Sequence, residues 1–539
     1  MPETIRDVAC TFCGCVCDDL AVTVDAGRVV AATGTCALSE PWLRGQNAHH
    51  PPAALVDGVA GEPEAAFARA VELLRASRAP LIYGLSRSTT EGQRAATALA
   101  DRLGATVDTT ASTGHAPSIM ALQQVGESTC TLGEVRNRAD LVIFWGSDPL
   151  TRHPRHLERY SADPVGRFVP GGRRDRVVVV VDDRETDTAK VADLFIKVER
   201  GRHWEALWKL RMRVRGVGSP EPPNPPGPPS LGGKGGDAPT DLPDGGSTRT
   251  ESREAAGINH PSPSGGGAGG GVATSAPGQA GTRADAPNPP GPPSLGGKGG
   301  DAPIDLPGGV SSSGVSQDAA GIEHPLPPRG RGPGGGVAAP VASDDTLWSD
   351  LAARMTACRF GIVFFGAGLT AEPLAHRTIE ALLQLVADLN LHTRFYARRM
   401  RRFGDVAGAD SVLTWQTGYP FGVNLARGYP RYNPGEFTGP ELLARGEVDL
   451  CLVVGGDTIA DLPPAARAHL ERIPVILLDA PDAETSLRAA VRFTTAVYGV
   501  HRPGTAYRMD EVPIPLRVIL PTDYPSDGEV LGELLKRVG

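Results

Sequence analysis

Two stretches far apart in this chain carry one pattern, and it constrains the fold more than any other feature. Arg138-Ala-Asp-Leu-Val-Ile-Phe-Trp-Gly146-Ser147-Asp148 parallels Glu447-Val-Asp-Leu-Cys-Leu-Val-Val-Gly455-Gly456-Asp457. Each is an apolar run of strand length that ends in glycine, a small residue and aspartate. Pro80-Leu-Ile-Tyr-Gly84 precedes a helical pattern from Glu91 to Leu103, and Gly361-Ile-Val-Phe-Phe365 precedes one from Ala371 to Leu389. Downstream, Val177 to Asp182 matches Pro474 to Asp479. Strands alternating with helices predict parallel sheets covered on both faces. The chain is therefore expected to be α/β, with two similar Rossmann-like units.

Between them the composition changes. The 67 glycines and 49 prolines of the 539-residue chain are too many for an ordinary globular protein. Their excess lies in residues 217–343. There the run Pro223 to Pro239 recurs as Pro287 to Pro303, and Ala255 to Pro261 recurs as Ala319 to Pro325, both offset by 64 residues. Large apolar side chains are almost absent, so neither copy can bury a core that offsets chain entropy. The expected division is a Cys-rich segment (1–50), a first α/β unit (51–216), a disordered Pro/Gly-rich insertion with a 64-residue duplication (217–343), and a second α/β unit with the C-terminal segment (344–539). His260 and His324 belong to the duplication and are not metal-ligand candidates.

The N-terminal segment holds Cys10, Cys13, Cys15, Cys17 and Cys36. Cys10-x2-Cys13-x3-Cys17-x18-Cys36 offers four thiolates, the number a [4Fe-4S] cluster needs. Structural zinc uses the same number, and disulfides would replace both in an exported chain. The first residues carry charge early and lack an apolar core, so no export signal is expected and the reading is cytoplasmic. Cys15 is an extra thiol that could compete as a ligand. Cys130, Cys358 and Cys451 are read as small apolar packing residues.

The net charge of −8 argues against a nucleic-acid partner. No stretch reaches the length of a membrane span. In doubly wound sheets, ligands bind beyond the carboxyl ends of strands. Gly146, Ser147 and Asp148, and likewise Gly455, Gly456 and Asp457, would lie at such ends. They are candidates for contact with a nucleotide, and a plain structural turn is the alternative. No Gly-x-Gly-x-x-Gly follows a strand, so ordinary NAD binding is not supported.

A cysteine loop ahead of two Rossmann-like units resembles the plan of molybdopterin and tungstopterin oxidoreductases. Three longer motifs narrow it: Trp145 to Tyr160, Trp415 to Gly435, and Gly504-Thr-Ala-Tyr-Arg-Met-Asp510. They resemble the B subunit of formylmethanofuran dehydrogenase. The resemblance implies carbon dioxide and formate interconverting at molybdenum or tungsten, held by a pterin guanine dinucleotide. It also implies partner subunits (amidohydrolase-like A, formyltransferase-like D, and C), and a methanofuran-type formyl carrier. In that family a cysteine or selenocysteine beside a histidine holds the metal. Here the stretch reads Thr113-Gly114-His115-Ala116-Pro117-Ser118, so the ligand position is a bare glycine. His115 would carry protons, with a turn histidine as the alternative. The family's arginine falls at Arg401. Arg398, Arg399 and Arg402 around it could instead form a surface patch for a partner. The resemblance thus implies a complex subunit acting as a scaffold with a degenerate redox site, in a complex that transfers formyl groups and hydrolyses them to formate. The alternative is an active oxidoreductase.

Overall fold

The computed structural model describes residues 1–216, 344–483 and 485–539. The expected insertion at 217–343 lies outside them.

The strand and helix positions follow the apolar patterning. Strands run over Pro80–Gly84, Leu141–Trp145, Val177–Asp182, Phe360–Phe365, Leu450–Val454 and Val475–Asp479. Nearly all their residues are buried, as befits parallel strands covered on both faces. Helices Thr90–Leu103 and Ala375–Leu389 follow the first and fourth of these. The former is capped by Thr89, whose Oγ1 accepts from the Gly92 amide at 3.3 Å.

Strand pairing differs from the expected division into a unit at 51–216 and another at 344–539. One sheet has five parallel strands in the order Leu194–Lys197, Val177–Asp182, Leu141–Trp145, Phe360–Phe365, Arg394–Arg399. The first three come from the earlier half and the last two from the later half. The other sheet has nine strands, with five parallel ones at its centre: Thr106–Thr109, Pro80–Gly84, Leu450–Val454, Val475–Asp479 and Val491–Thr494. Here Pro80–Gly84 from the earlier half pairs with Leu450–Val454 from the later one. Each sheet is thus assembled from both halves. The two stretches flanking the insertion are similar in sequence, but each sheet is incomplete without strands of both.

The N-terminus forms a separate three-stranded antiparallel sheet from Glu3–Val8, Leu20–Asp25 and Arg28–Thr33. The loop between its first two strands carries Cys10 to Cys17. It closes through Cys10 N–H donating to the Cys17 carbonyl at 2.8 Å and Val16 N–H donating to the Cys13 carbonyl at 3.1 Å. Among the described residues no helix is long and apolar enough to cross a membrane.

Candidate functional site

All five N-terminal cysteines line one cavity, together with Phe12, Leu20, Gly34, Ser39 and Arg155. None is in a disulfide. Cys36 arrives from just before the helix Ser39–Gly45, its amide donating to Ser39 Oγ at 3.0 Å. Cys15, the extra thiol, lies beside both Cys13 and Cys17. That contact holds the Cys13 and Cys17 thiols below the usual range and pushes Cys15 up. Burial pushes Cys10 well up. The donors are thiols without imidazole or carboxylate, a soft set suited to iron–sulfur or zinc. Among the described residues, no three His, Cys, Asp or Glu side chains are grouped as ligands of a single ion.

The back of the loop rests on the segment that contains Arg401. Cys13 forms an antiparallel bridge with Phe403, and the Met509 amide donates to the Gly14 carbonyl at 2.8 Å. A side chain at Gly14 would run into the Arg401 carbonyl. His153 Nε2 hydrogen-bonds that same carbonyl at 2.7 Å.

Arg401 itself is buried and engaged. One end of its fork pairs with Asp410, and Nη2 lies 3.6 Å from Glu511; only Nε lacks a partner. Asp410 also accepts from Thr109 Oγ1 at 2.8 Å. A bidentate grip on formate would require Arg401 to release these carboxylates. Arg398 and Arg399 are buried as well, paired with Glu511 at 2.9 Å and Glu127 at 2.7 Å. They therefore do not form the surface patch that was the alternative reading of this cluster. Arg402 alone of the group is exposed, and it pairs with Asp461.

His115 sits between the short helix Ala111–Gly114 and the helix Ala116–Val125. Its carbonyl accepts from Ser118 Oγ at 2.8 Å, while its buried Nδ1 has no partner. Burial, reinforced by Arg401 and Arg399, holds the imidazole well below its ordinary pKa. Burial and the two neighbouring guanidinium groups thus favour the neutral imidazole and disfavour uptake of a second proton. At Gly114 no atom lies within 4 Å of where a side chain would begin, and its backbone is not left-handed. The ligand position is thus open and sterically free. The neighbouring hydroxyls do not fill it: Ser112 Oγ and Thr113 Oγ1 donate to the Thr109 and Thr110 carbonyls, each at 2.9 Å. Cys130 is buried in an apolar cluster with Leu132 and Val135, its thiol pushed up to about 12 by burial.

The two Gly-x-Asp turns meet different fates. Gly146 has φ 57°, and its carbonyl accepts from the Gly368 amide at 2.9 Å. Asp148 is taken up locally, accepting from Thr188 Oγ1 and Thr151 Oγ1, each at 2.6 Å. Burial alone would raise it, but those hydroxyls win and hold it below the usual carboxylate range. Asp148 thus acts as the staple of a turn. Gly455 and Asp457, by contrast, line a pocket of about 370 Å³ at the carboxyl ends of Leu450–Val454 and Val475–Asp479. Gly456 lies beneath, its amide donating to Asp479 Oδ1 at 3.1 Å.

The pocket's chemistry comes largely from residues the sequence did not single out. Asp479, Asp482 and Asp527 line it, and each has one carboxylate oxygen without a hydrogen bond. Arg492 approaches that of Asp479 only to 3.8 Å. Burial pushes both Asp479 and Asp527 up to about 6. Trp42, Pro41 and Val497 supply apolar wall. Asp479 ends an apolar run, Val-Ile-Leu-Leu-Asp, and that signal could have found it; Asp527 and Asp482 carry none.

Comparison with known proteins identifies the family. Over 554 aligned positions, the chain is 32% identical to the B subunit of tungsten-containing formylmethanofuran dehydrogenase 2 from Methanocaldococcus jannaschii, covering 100% of this chain and 99% of the relative. It is 30% identical to the protein of the same name from Methanococcus maripaludis, covering 99% of each. The chain belongs to the family of formylmethanofuran dehydrogenase B subunits. The B subunit of the formyltransferase/hydrolase complex Fhc of Methylorubrum extorquens is 37% identical over 97 residues, 18% of this chain and 26% of that one. The X-ray structure of the FhcABCD complex from that organism, with methylofuran, contains a chain of like fold. Its TM-score is 0.57 at 18% identity, covering 90% of this chain and 98% of that one. No protein-family profile matches.

Proposed function

We propose that this chain is the B subunit of a formyltransferase/hydrolase complex in one-carbon metabolism, serving as a scaffold whose own redox site has degenerated. One observation carries the reading. Gly114 offers no thiolate to a pterin-bound metal, and no nearby group replaces it. The engaged fork of Arg401 supports the same reading, because its guanidinium is already hydrogen-bonded to Asp410 and ion-paired with Glu511. The metal end of a molybdenum or tungsten pterin therefore does not fit these residues, and no step is derived through it. The activity belongs to the complex: transfer of a formyl group to a methanofuran-type carrier and its hydrolysis to formate. The partners would be the A, C and D subunits, in the cytoplasm.

The nucleotide end fits better. Gly455, Gly456 and Asp457 would receive the guanine dinucleotide of a pterin, with the unpartnered oxygens of Asp479, Asp482 and Asp527 as acceptors. Guanine presents adjacent N–H donors, which match free carboxylate oxygens. In the cysteine cavity, Cys10, Cys13, Cys17 and Cys36 would hold a [4Fe-4S] cluster, whose chemistry when bound is one-electron transfer. That cavity favours the second reading, an active oxidoreductase, because a pure scaffold has no evident use for a cluster.

Metal analysis of the purified complex separates the two. Iron without tungsten or molybdenum, together with formate release from the formyl carrier, is the expected result. Stoichiometric tungsten or molybdenum with viologen-linked formate oxidation rejects the scaffold.

A further inference from the structure

The cysteine cavity and the nucleotide pocket share a wall. Phe12 lines both, and Thr11 beside it lines the pocket. Arg87, in the loop after the strand Pro80–Gly84, is part of that wall and lines the pocket itself. Its Nη1 donates to the carbonyls of Thr11 at 3.2 Å and Phe12 at 2.8 Å, both within the cysteine loop. Its Nε and Nη2 donate to Asp457 Oδ2 at 2.9 and 2.6 Å, on the pocket side. The guanidinium lies 5.6 Å from the centre of the Phe12 ring and 5.2 Å from that of Phe403. Gly455 is shaped to this arrangement. Its φ is 82°, and a side chain there would meet Arg87 Cγ at 2.8 Å and Cβ at 2.9 Å.

We propose that Arg87 is a positioning residue that couples the two cavities, so that a guanine nucleotide in the pocket and the closed form of the cysteine loop stabilise each other. The proposal rests on the reading of the pocket as a nucleotide site. A ligand seated against Asp457 fixes the carboxylate that orients Arg87. Arg87 in turn fixes two consecutive carbonyls, and with them the loop that aims Cys10 and Cys13. A planar guanidinium can hold one carboxylate and two carbonyls at once because its donors point in fixed directions; a lysine ammonium cannot span both sides. Coupling of this kind is reciprocal by thermodynamic necessity.

The loop thiols report the coupling directly. Cys10, Cys13, Cys15 and Cys17 are buried, so alkylation requires the loop to open. The test uses the full complex, freed of metal, with guanosine 5′-monophosphate as the probe. Binding is measured by calorimetry, and alkylation of each cysteine by mass spectrometry, with Cys358 as the internal reference for global folding. In the natural chain the nucleotide is expected to slow loop alkylation about fivefold or more, the lower end of ordinary coupling energies. Arg87→Ala should abolish that dependence with Cys358 reactivity unchanged. Arg87→Lys should fail to restore it. Asp457→Asn should weaken it with Arg87 still present. In iron-loaded complex, the nucleotide should slow chelator-driven loss of iron by a similar factor. If the nucleotide does not bind, the reading of the pocket falls and the coupling with it. If it binds and leaves loop alkylation unchanged, the coupling alone falls. If the dependence survives Arg87→Ala, Arg87 is not the link.

Discussion

The two strand-end turns, Gly146–Ser147–Asp148 and Gly455–Gly456–Asp457, begin from the same pattern and end with opposite roles. In the first, Thr151 and Thr188 consume both carboxylate oxygens of Asp148. In the second, Asp457 is held by Arg87 at the edge of a pocket where three further aspartates each keep an acceptor free. The two ends differ in whether local groups take up the nearby carboxylates: hydroxyls do so at Asp148, whereas Asp479 keeps one oxygen without a hydrogen bond. A satisfied aspartate staples a turn, and an unsatisfied one waits for a donor.

The largest effect is expected from adding a side chain at the closed turn. Gly146→Ala would bring a Cβ to 2.7 Å from Leu369 and 2.9 Å from Gly368 in a left-handed backbone. The cost should be about 3 kcal/mol, read by denaturant unfolding. A cost under about 0.5 kcal/mol, the size of an ordinary surface change, would mean that this turn is not closed against Leu369 and Gly368.

Exchanging one oxygen separates the roles. Asp479→Asn should weaken guanosine 5′-monophosphate binding by about 10- to 100-fold, the worth of a hydrogen bond to a charged group, without loss of thermal stability. Asp148→Asn should do the reverse, lowering stability by about 1 kcal/mol with binding unchanged. The opposite pattern would overturn the comparison.

The pH dependence has a definite sign. Asp479 and Asp527 are pushed up to about 6 by burial. A carboxylate raised in the folded state favours the empty protein most below its ordinary pKa, and that contribution fades as pH rises through 6. Nucleotide binding needs the ionised oxygens and runs the other way. Affinity should rise about a hundredfold between pH 5 and pH 7, about tenfold for each carboxylate, and then level off, and Asp479→Asn should leave only the share of Asp527. An affinity that falls over this range would exclude the carboxylates as acceptors.

The smallest effect is expected at Gly114. Gly114→Cys should change the melting free energy by no more than about 0.5 kcal/mol, because nothing crowds the position. The new thiol should alkylate readily. It should not restore formate oxidation while Arg401 stays paired with Asp410. Viologen-linked turnover gained by this variant would mean that the rest of the redox site is intact and that only the thiolate is missing.

Much of the architecture was legible. Unbroken apolar runs announced the strands, and the spacing of Cys10, Cys13, Cys17 and Cys36 singled out thiols that the fold brings to one cavity. Strand neighbours were not legible, because a parallel strand buried on both faces looks alike whatever lies beside it. Thus Leu141–Trp145 gave no sign that its partner would be Phe360–Phe365. The resemblance singled out Arg401, but its engagement was not legible: Asp410 returns from the helix Val406–Thr417 to meet it. Arg87 sits in Leu-Ser-Arg-Ser, a loop without any spacing signal, and its two-sided role exists only once both cavities are built. The aspartates at 482 and 527 are equally silent, since being left without a donor is a property of surroundings.

The exchange of strands between halves also bears on how the protein is made. Trp145 leaves the ribosome long before Phe360, and translation at about 5–20 residues per second puts roughly ten to forty seconds between them. Throughout that interval the nascent chain displays the edge of Leu141–Trp145 with its permanent neighbour not yet synthesised. A cell producing this protein must shield that edge from other polypeptides, so holdase chaperones or early assembly with partner chains should govern its yield.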